Sequence, residues 1–324
     1  MSEGNRTGLI NIDLSGEPLT KLIEVSSKGM GNLLEPWMIR RRAKAAAFEM
    51  DTLKSAMDRN GINGGISISR NGLEIKVEEG TVEERALISM VQKEVKKQMN
   101  TEKIVANAAI NLKSVEVVSS EPVEDEWITR FFSIAQDITD EDMQTIWSKI
   151  LSDEIVKPKS YSLRSLELLR NMSKQEAELF AKFIKSSLDT GTYRMFIDSD
   201  EIKSHCNINF NDVLLLEEIG LVNRDLTRYI GPKNREAFSI DGENLIDIEN
   251  INEENKYSIN MVMTTKVGYE LSKIIKVNVD EDLRRKITSH IIQKGEGNLI
   301  VRKGIRPVWN NNRLIRWSVL TEEV

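Results

Sequence analysis

Side chains that could act as nucleophiles or metal ligands are scarce in this sequence. The chain has one cysteine and two histidines, and Cys206 directly follows His205. Neighbouring residues of a strand face opposite sides, and a catalytic thiol needs a lowered pKa, so we interpret Cys206 as a structural thiol. A single cysteine also excludes an intrachain disulfide and a cysteine-rich zinc site, and it favours a reducing, cytoplasmic compartment.

Paired carboxylates and Lys–Glu spacings offer a second kind of chemistry. Glu74 and Lys76 share one face of a predicted strand, as in metal-dependent nucleases, but the preceding strand offers Ser67 and no aspartate. Cross-strand salt bridging is therefore the favoured interpretation. The acidic runs 124–126 and 140–142 lie at predicted helix N-termini, where negative charge favours the helix dipole. No glycine-rich phosphate-binding motif occurs. We predict no catalytic residue, no metal ligand and no cofactor.

Two basic segments could contact anions. The first lies beside Trp37 and is interpreted as a solvated helix start, with an anionic surface as the alternative; its members are Arg40, Arg41, Arg42 and Lys44. The second alternates with tryptophans in the C-terminal region, which is typical of proteins that bind RNA or single strands. The favoured interpretation is nevertheless a terminal β-element whose tryptophans pack onto the body. The candidate nucleic-acid contacts are Arg302, Lys303, Arg306, Trp309, Arg313, Arg316 and Trp317.

Residues 191–275 have the element order of a winged-helix module. A short helix at 213–219, capped by Asn211 or Asp212, is followed by strands near 221–222, 238–248 and 257–263. A further helix begins after a cap at Thr264 or Thr265. This stretch has 15 acids against 9 bases, about −6, which favours protein contact over DNA contact.

The remaining elements are predicted from local pattern. Asn71-Gly72 between alternating apolar residues predicts a β-hairpin. Thr81 and Glu84 form a capping box for one long helix over 81–118, and such a helix favours self-association. Four short helices follow; Thr139 is the predicted cap of one, and Ser173 with Glu176 caps another.

We predict a mainly α protein with added β (α+β). Its 324 residues exceed the size of a single core, and 40% are hydrophobic but only 6% aromatic. The net charge is −6, no apolar run is long enough for a membrane helix, and residues 1–20 have no signal-peptide pattern. The predicted segments are a helical arm (1–118, with a hairpin near 62–79), a central helical bundle (119–190), the winged-helix-like module (191–275) and a basic β-rich element (276–324).

Several sequence blocks together resemble a bacterial family, the domain of unknown function 2806. The likeness covers roughly residues 8–275, and its blocks are Pro36 with Ile39–Ala45, Arg85-Ala86, Gln98–Ile104, Asp125–Ile128, Phe131-Phe132, Gln144–Leu151, Glu154, Lys157-Pro158, Tyr161–Arg164 and Leu166-Glu167. Residues 147–166 are also similar to part of the abortive-infection alpha-type proteins of phage defence. The resemblance implies a bacterial, cytosolic protein, and it implies no established reaction, cofactor or catalytic residue.

The preferred hypothesis is a non-catalytic interaction or assembly protein, an accessory factor in phage defence by family likeness alone. We expect a protein partner or self-association and no membrane-surface binding. The alternative is a nucleic-acid-binding regulator that uses the winged-helix-like module or the basic C-terminal segment. A metal nuclease built on Glu74 and Lys76 is the third hypothesis.

Overall fold

A computed structural model describes residues 16–30, 65–69, 72–76, 81–310 and 313–323. The chain divides into two compact units, Met1–Leu163 and Arg164–Val324. The basic segment 40–44 and the helix predicted around it lie outside the described residues. The finer division into four segments stays a prediction.

The first unit consists of helices and one hairpin. Its helices are α1 (Glu17–Met30), α2 (Val82–Leu112), α3 (Asp125–Ala135) and α4 (Glu141–Val156). Strands β1 (Gly65–Ser69) and β2 (Gly72–Lys76) pair antiparallel, with Ile66 opposite Ile75. The predicted hairpin is thus confirmed.

Two helix ends differ from prediction. Helix α2 ends at Leu112 and not at residue 118, because Ser114 and three valines have weak helix propensity and Val118 is buried outside the helix. The cap of α4 is Asp140 and not Thr139. The Asp140 side chain accepts a hydrogen bond from the backbone N–H of Met143 at 2.9 Å, which only the residue directly before the helix can do well.

Aromatic side chains form the core of the first unit. Trp127 stacks on Phe131 with ring centroids 5.0 Å apart, and Phe131 lies 5.4 Å from Trp147. Helix α1 approaches α3 closely at Gly29, where an added Cβ would lie 1.9 Å from the ring of Phe132. A glycine is therefore required at this helix contact, because any side chain would separate the two helices.

The turn after α4 is held by a buried carboxylate. Glu154 accepts backbone hydrogen bonds from Lys159 at 2.6 Å and from Tyr161 at 3.1 Å. The hydroxyl of Tyr161 donates to Asp153, and its carbonyl accepts from the Trp127 indole. A carboxylate with two N–H donors is far less costly to bury than an unpaired one, so Glu154 organises this turn.

The second unit combines helices with one large sheet. The helices are α5 (Leu163–Asn171), α6 (Lys174–Lys185), α7 (Asp200–Cys206), α8 (Phe210–Glu218), α9 (Lys266–Ser272) and α10 (Glu281–Lys294). The strands are β3 (Leu188–Asp189), β4 (Arg194–Ile197), β5 (Val222–Ile230), β6 (Arg235–Ser239), β7 (Asn244–Asn250), β8 (Tyr257–Thr264), β9 (Leu299–Asn310) and β10 (Arg313–Glu323). The mixed helix and sheet content confirms the predicted fold class at this level.

The sheet order is β10-β9-β7-β6-β3-β4-β8-β5, and every neighbouring pair is antiparallel. The strand predicted over 238–248 is two strands, β6 and β7, which turn at Gly242 with φ 101°. The sequence predicts C-terminal strands only at 299–301 and 314–320, and β9 and β10 are longer because β9 pairs with β10 on one side and with β7 on the other. Pairing supplies hydrogen bonds that periodicity does not reveal.

Several helices of the second unit are capped by side chains that bond to backbone groups two or three residues further along the chain. Ser173 and Glu176 form the predicted capping box, and Thr265 caps α9. The cap predicted for α8 was wrong. Asn209 is the cap, and its side chain accepts from the backbone of Asp212, whose carboxylate accepts the Asn209 N–H in return.

Candidate functional site

Helix α8 is positioned by its cap and by two buried side chains. Val213 and Leu216 face the interior. The helix ends where Gly220 takes φ 82°, a conformation that favours glycine and lets the chain turn into β5. These anchors fix which side of α8 faces outward.

The outward side of α8 is mixed, with exposed Asn211 and Glu218 beside exposed Phe210 and Leu215. Phe210 is 60% exposed and Leu215 is 36% exposed. The guanidinium of Arg224 lies 5.2 Å from the centroid of the Phe210 ring and orients the ring from the adjacent strand. Ile219 follows Leu215 by four residues, so the two side chains share a face of the helix.

An open cavity of about 370 Å³ adjoins the end of α8. It is lined by Leu168, Met172 and Ile219 together with Glu167, Asn171 and Glu176. The lining is half apolar and half polar, with two carboxylates, so it suits an apolar side chain that has a basic neighbour. Ile219 connects the cavity to the end of α8.

The charge of α8 is entirely negative. Its residues 210–218 include Asp212, Glu217 and Glu218 but no lysine or arginine. Glu217 pairs with Arg224, and Glu218 is exposed. A duplex phosphate backbone would meet repulsion here, because such contacts are made by basic side chains.

The C-terminal candidate residues are separated by the structure into two groups. Arg302 pairs with Glu249 at 2.6 Å, Lys303 lies 3.7 Å from Glu281, and the indole of Trp317 donates to a carboxylate in the sheet. Arg316 is exposed, whereas the side chains of Arg306, Trp309 and Arg313 lie outside the described part of the structure. Three of the seven candidates are thus occupied by contacts within the chain.

The carboxylate beneath these residues belongs to Asp247, which is 0% exposed. It accepts hydrogen bonds from Arg235 at 2.8 and 3.1 Å and from the Trp317 indole at 2.7 Å, and Arg302 lies 3.6 Å away. Hydrogen bonding to Asp247 raises the pKa of the Arg235 guanidinium. Sequence reasoning missed this cluster, although a lone aspartate inside the apolar run 245–248 was an available signal.

A second buried charge network lies in the middle of the sheet. Arg194 is buried and donates to the carbonyls of Ser187 and Ile240, and it lies 3.5 Å from Asp189. Burial raises the pKa of the nearby Tyr269 hydroxyl, which donates to Asp189. All these groups have protein partners, so we interpret the network as structural.

His205 and Cys206 lie at the end of helix α7 and do not form a nucleophile–base pair. His205 Nε2 lies 3.5 Å from Asp280 Oδ2. Burial raises the pKa of the Cys206 thiol, with a smaller opposing effect from Ser186. A raised pKa keeps the thiol protonated, which is the opposite of what a catalytic cysteine needs.

The other carboxylate candidates occupy structural positions. Asp125 and Glu126 lie in the first turn of α3, and Glu141 and Asp142 lie in the first turn of α4, where the helix dipole favours them. Glu74 lies opposite Ser67 in the hairpin register. Within the described ranges, no group of three or more His, Cys, Asp and Glu side chains is arranged to hold a metal ion.

The fold defines an α+β protein with a helical unit and a sheet unit. Helix α8 of the sheet unit exposes both apolar and acidic side chains. The sequence profile of the DUF2806 family, described as protein of unknown function, matches residues 84–288, and the chain belongs to that family. No curated protein and no solved structure is significantly similar to the chain. None of the described helices has the length and apolar character needed to span a bilayer.

Proposed function

We propose that this protein is a non-catalytic interaction factor that binds a partner protein through α8. The observation that carries the proposal is the combination on one helix of exposed Phe210 and Leu215 with the complete absence of basic residues. Aromatic anchors that fill a pocket of the partner surface carry much of the binding energy at protein interfaces. We therefore assign the contact to α8 and to the cavity that follows it.

The order of strands and helices around α8 supports a winged-helix-like module, and we propose that this module binds protein in place of DNA. Strands β4, β8 and β5 are neighbours in that order, and α7 and α8 connect β4 to β5. In helix-turn-helix proteins the second of two such helices reads the major groove with basic and polar side chains. Here α8 exposes Phe210 and Leu215 beside acidic and amide side chains and has no basic residue, so we propose that the same position binds protein.

The proposed partner has a defined chemistry. The cavity of about 370 Å³ suits one large apolar side chain inserted beside Ile219. The excess of 15 acids over 9 bases in residues 191–275 favours lysine or arginine around that anchor. The partner segment is therefore a separate protein's basic stretch with an apolar anchor.

Site-specific photo-cross-linking in the source bacterium tests the proposal. A photoreactive phenylalanine analogue is placed at position 210 and, as a control, at the exposed Arg285 of α10. The expected result is one protein captured at position 210 and not at 285. That protein is then purified and titrated against the wild type and against Phe210→Ser, Leu215→Ser and Arg285→Ser.

Loss of a central apolar anchor is expected to weaken binding about 30-fold in the Phe210 and Leu215 variants. The Arg285 variant is expected to bind as the wild type does. Cross-links to nucleic acid, or only to a second copy of this chain, would overturn the proposal. So would a captured protein whose purified form binds all variants equally.

The phage-defence setting is a separate proposal. It is supported only by the likeness of residues 147–166 to abortive-infection alpha-type proteins. Deletion of the gene from its host is expected to raise the plating efficiency of at least one phage, and re-expression is expected to restore resistance. Equal plating across a broad phage panel would refute this setting and leave the protein-contact proposal intact.

A further inference from the structure

The hairpin of β9 and β10 has an unusual charge distribution. No aspartate or glutamate occurs from residue 297 to residue 321, while this stretch has five basic residues. They are Arg302, Lys303, Arg306, Arg313 and Arg316. The chain as a whole has a net charge of −6, so this positive charge is concentrated and not a general property of the protein.

The outer half of this hairpin extends beyond its neighbour in the sheet. Strand β9 pairs with β7 only from Leu299 to Ile305, whereas β10 continues to pair with it out to Asn310. Residues 306–310 therefore form a two-stranded ribbon with β10, about 15 Å long at the usual rise per residue. Pro307 lies in this part, where no β7 carbonyl needs an N–H donor.

The basic residues form two groups, one on each side of Ile305, where the pairing of β9 with β7 ends. Near the sheet, Arg302 and Lys303 are paired with Glu249 and Glu281 and contribute little net charge. On the ribbon, Arg316 is exposed and makes no ion pair with any carboxylate that the structure describes. Arg306 and Arg313 occupy backbone positions of the same ribbon, which places three arginines on its two strands.

We propose that this ribbon binds duplex DNA by entering the major groove. That groove is wide enough for a two-stranded β-ribbon, whereas the major groove of duplex RNA is too narrow. Arginine side chains pair with phosphates and with guanine edges. In the sequence, the alternation of basic residues with tryptophans favours single-stranded nucleic acid. The paired β-strands of the ribbon favour duplex DNA instead.

Fluorescence anisotropy with labelled nucleic acids of about 20 base pairs or bases tests the proposal. The probes are duplex DNA, single-stranded DNA and duplex RNA of equivalent sequence, each at 50 and 200 mM salt. The protein variants are R313A/R316A on the ribbon and K174A/K185A on α6, a matched removal of two exposed positive charges. Thermal unfolding of each variant verifies that it folds.

With three phosphate contacts, the affinity of the wild type for duplex DNA is expected to fall roughly 40-fold from 50 to 200 mM salt. R313A/R316A keeps one of these contacts, so its affinity is expected to fall only roughly 3- to 4-fold over the same change in salt. K174A/K185A is expected to keep the wild-type salt dependence. Tighter binding of single strands or RNA, no binding at 50 mM salt, or equal losses in both variants would overturn the proposal. F210S is expected to bind duplex DNA as the wild type does, which separates this proposal from the contact at α8.

Discussion

The indole Nε1 of Trp127 donates a hydrogen bond to the backbone carbonyl of Tyr161 at 2.8 Å. This bond joins the first turns of α3 to the turn that follows α4, across 34 residues of sequence. Both residues lie inside the range that the family profile matches. The bond connects two elements of the first unit, which is a structural role for both residues.

Glu154 and Trp127 are expected to act together on stability. Glu154→Gln replaces a carboxylate that accepts two backbone N–H groups and is expected to lower the free energy of unfolding by about 2 kcal/mol. Trp127→Phe removes the indole hydrogen bond to the Tyr161 carbonyl, and a double-mutant cycle is expected to show coupling of about 0.5–1 kcal/mol. Urea unfolding measures both, with Glu116→Gln on the exposed surface as the control. Strict additivity would contradict a shared role.

Asp247 is expected to be the most sensitive carboxylate of the sheet. Asp247→Asn leaves the Arg235 side chain without its charge partner and weakens the surroundings of Arg302, which keeps Glu249, and we expect a loss of about 3 kcal/mol in unfolding free energy. The matched control is Glu243→Gln in the exposed turn between β6 and β7. Tryptophan fluorescence should report a changed environment of Trp317 in the first variant only. A loss under about 0.5 kcal/mol would mean that the cluster is a surface feature.

Gly268 is expected to tolerate no side chain. An added Cβ would lie 2.0 Å from the carbonyl oxygen of Leu221, a backbone atom that cannot rotate away. Gly268→Ala is therefore expected to cost about 3 kcal/mol or more and to lower the melting temperature. Gly231→Ala is the matched control, since nothing lies within 4 Å of its added Cβ. Equal melting temperatures of the two variants would contradict this close approach.

His290 is expected to make stability fall in mild acid. Burial is the main cause that lowers its pKa, Lys294 adds repulsion, and Glu201 opposes both. The unfolded chain then binds a proton more readily than the folded protein, so stability is present above pH about 6.5 and decreases as the pH falls below it. The urea midpoint should fall between pH 7 and pH 5, and less steeply in His290→Gln. Parallel slopes for the two proteins would refute this assignment.

Local features of the fold were readable from sequence because their hydrogen bonds close within a few residues. The Asn71-Gly72 hairpin and the capping box of Ser173 and Glu176 depend on neighbours at most a few positions away. The errors at Thr139 and at Asn211 are also local. Adjacent residues could each cap the helix, and the backbone entry angle selects Asp140 and Asn209.

The candidate site was only partly readable. The lack of basic residues in 210–218 is a sequence fact, and it already disfavoured DNA contact. That Phe210 and Leu215 face outward while Val213 and Leu216 face inward depends on where the sheet lies, because apolar residues occur on several sides of this helix.

The sequence by itself determined the fold class, the family likeness, the local turns and caps, and the contrast between an acidic module and a basic C-terminal stretch. Only the tertiary structure decided that Arg302 and Lys303 are neutralised while Arg316 is not, and that Asp247 meets Trp317 across 70 residues. Local pattern records hydrogen bonds between near neighbours. Strand order and ion pairs involve residues that are distant in sequence, and burial and packing determine which of them meet. A short stretch of sequence therefore does not predict these partners.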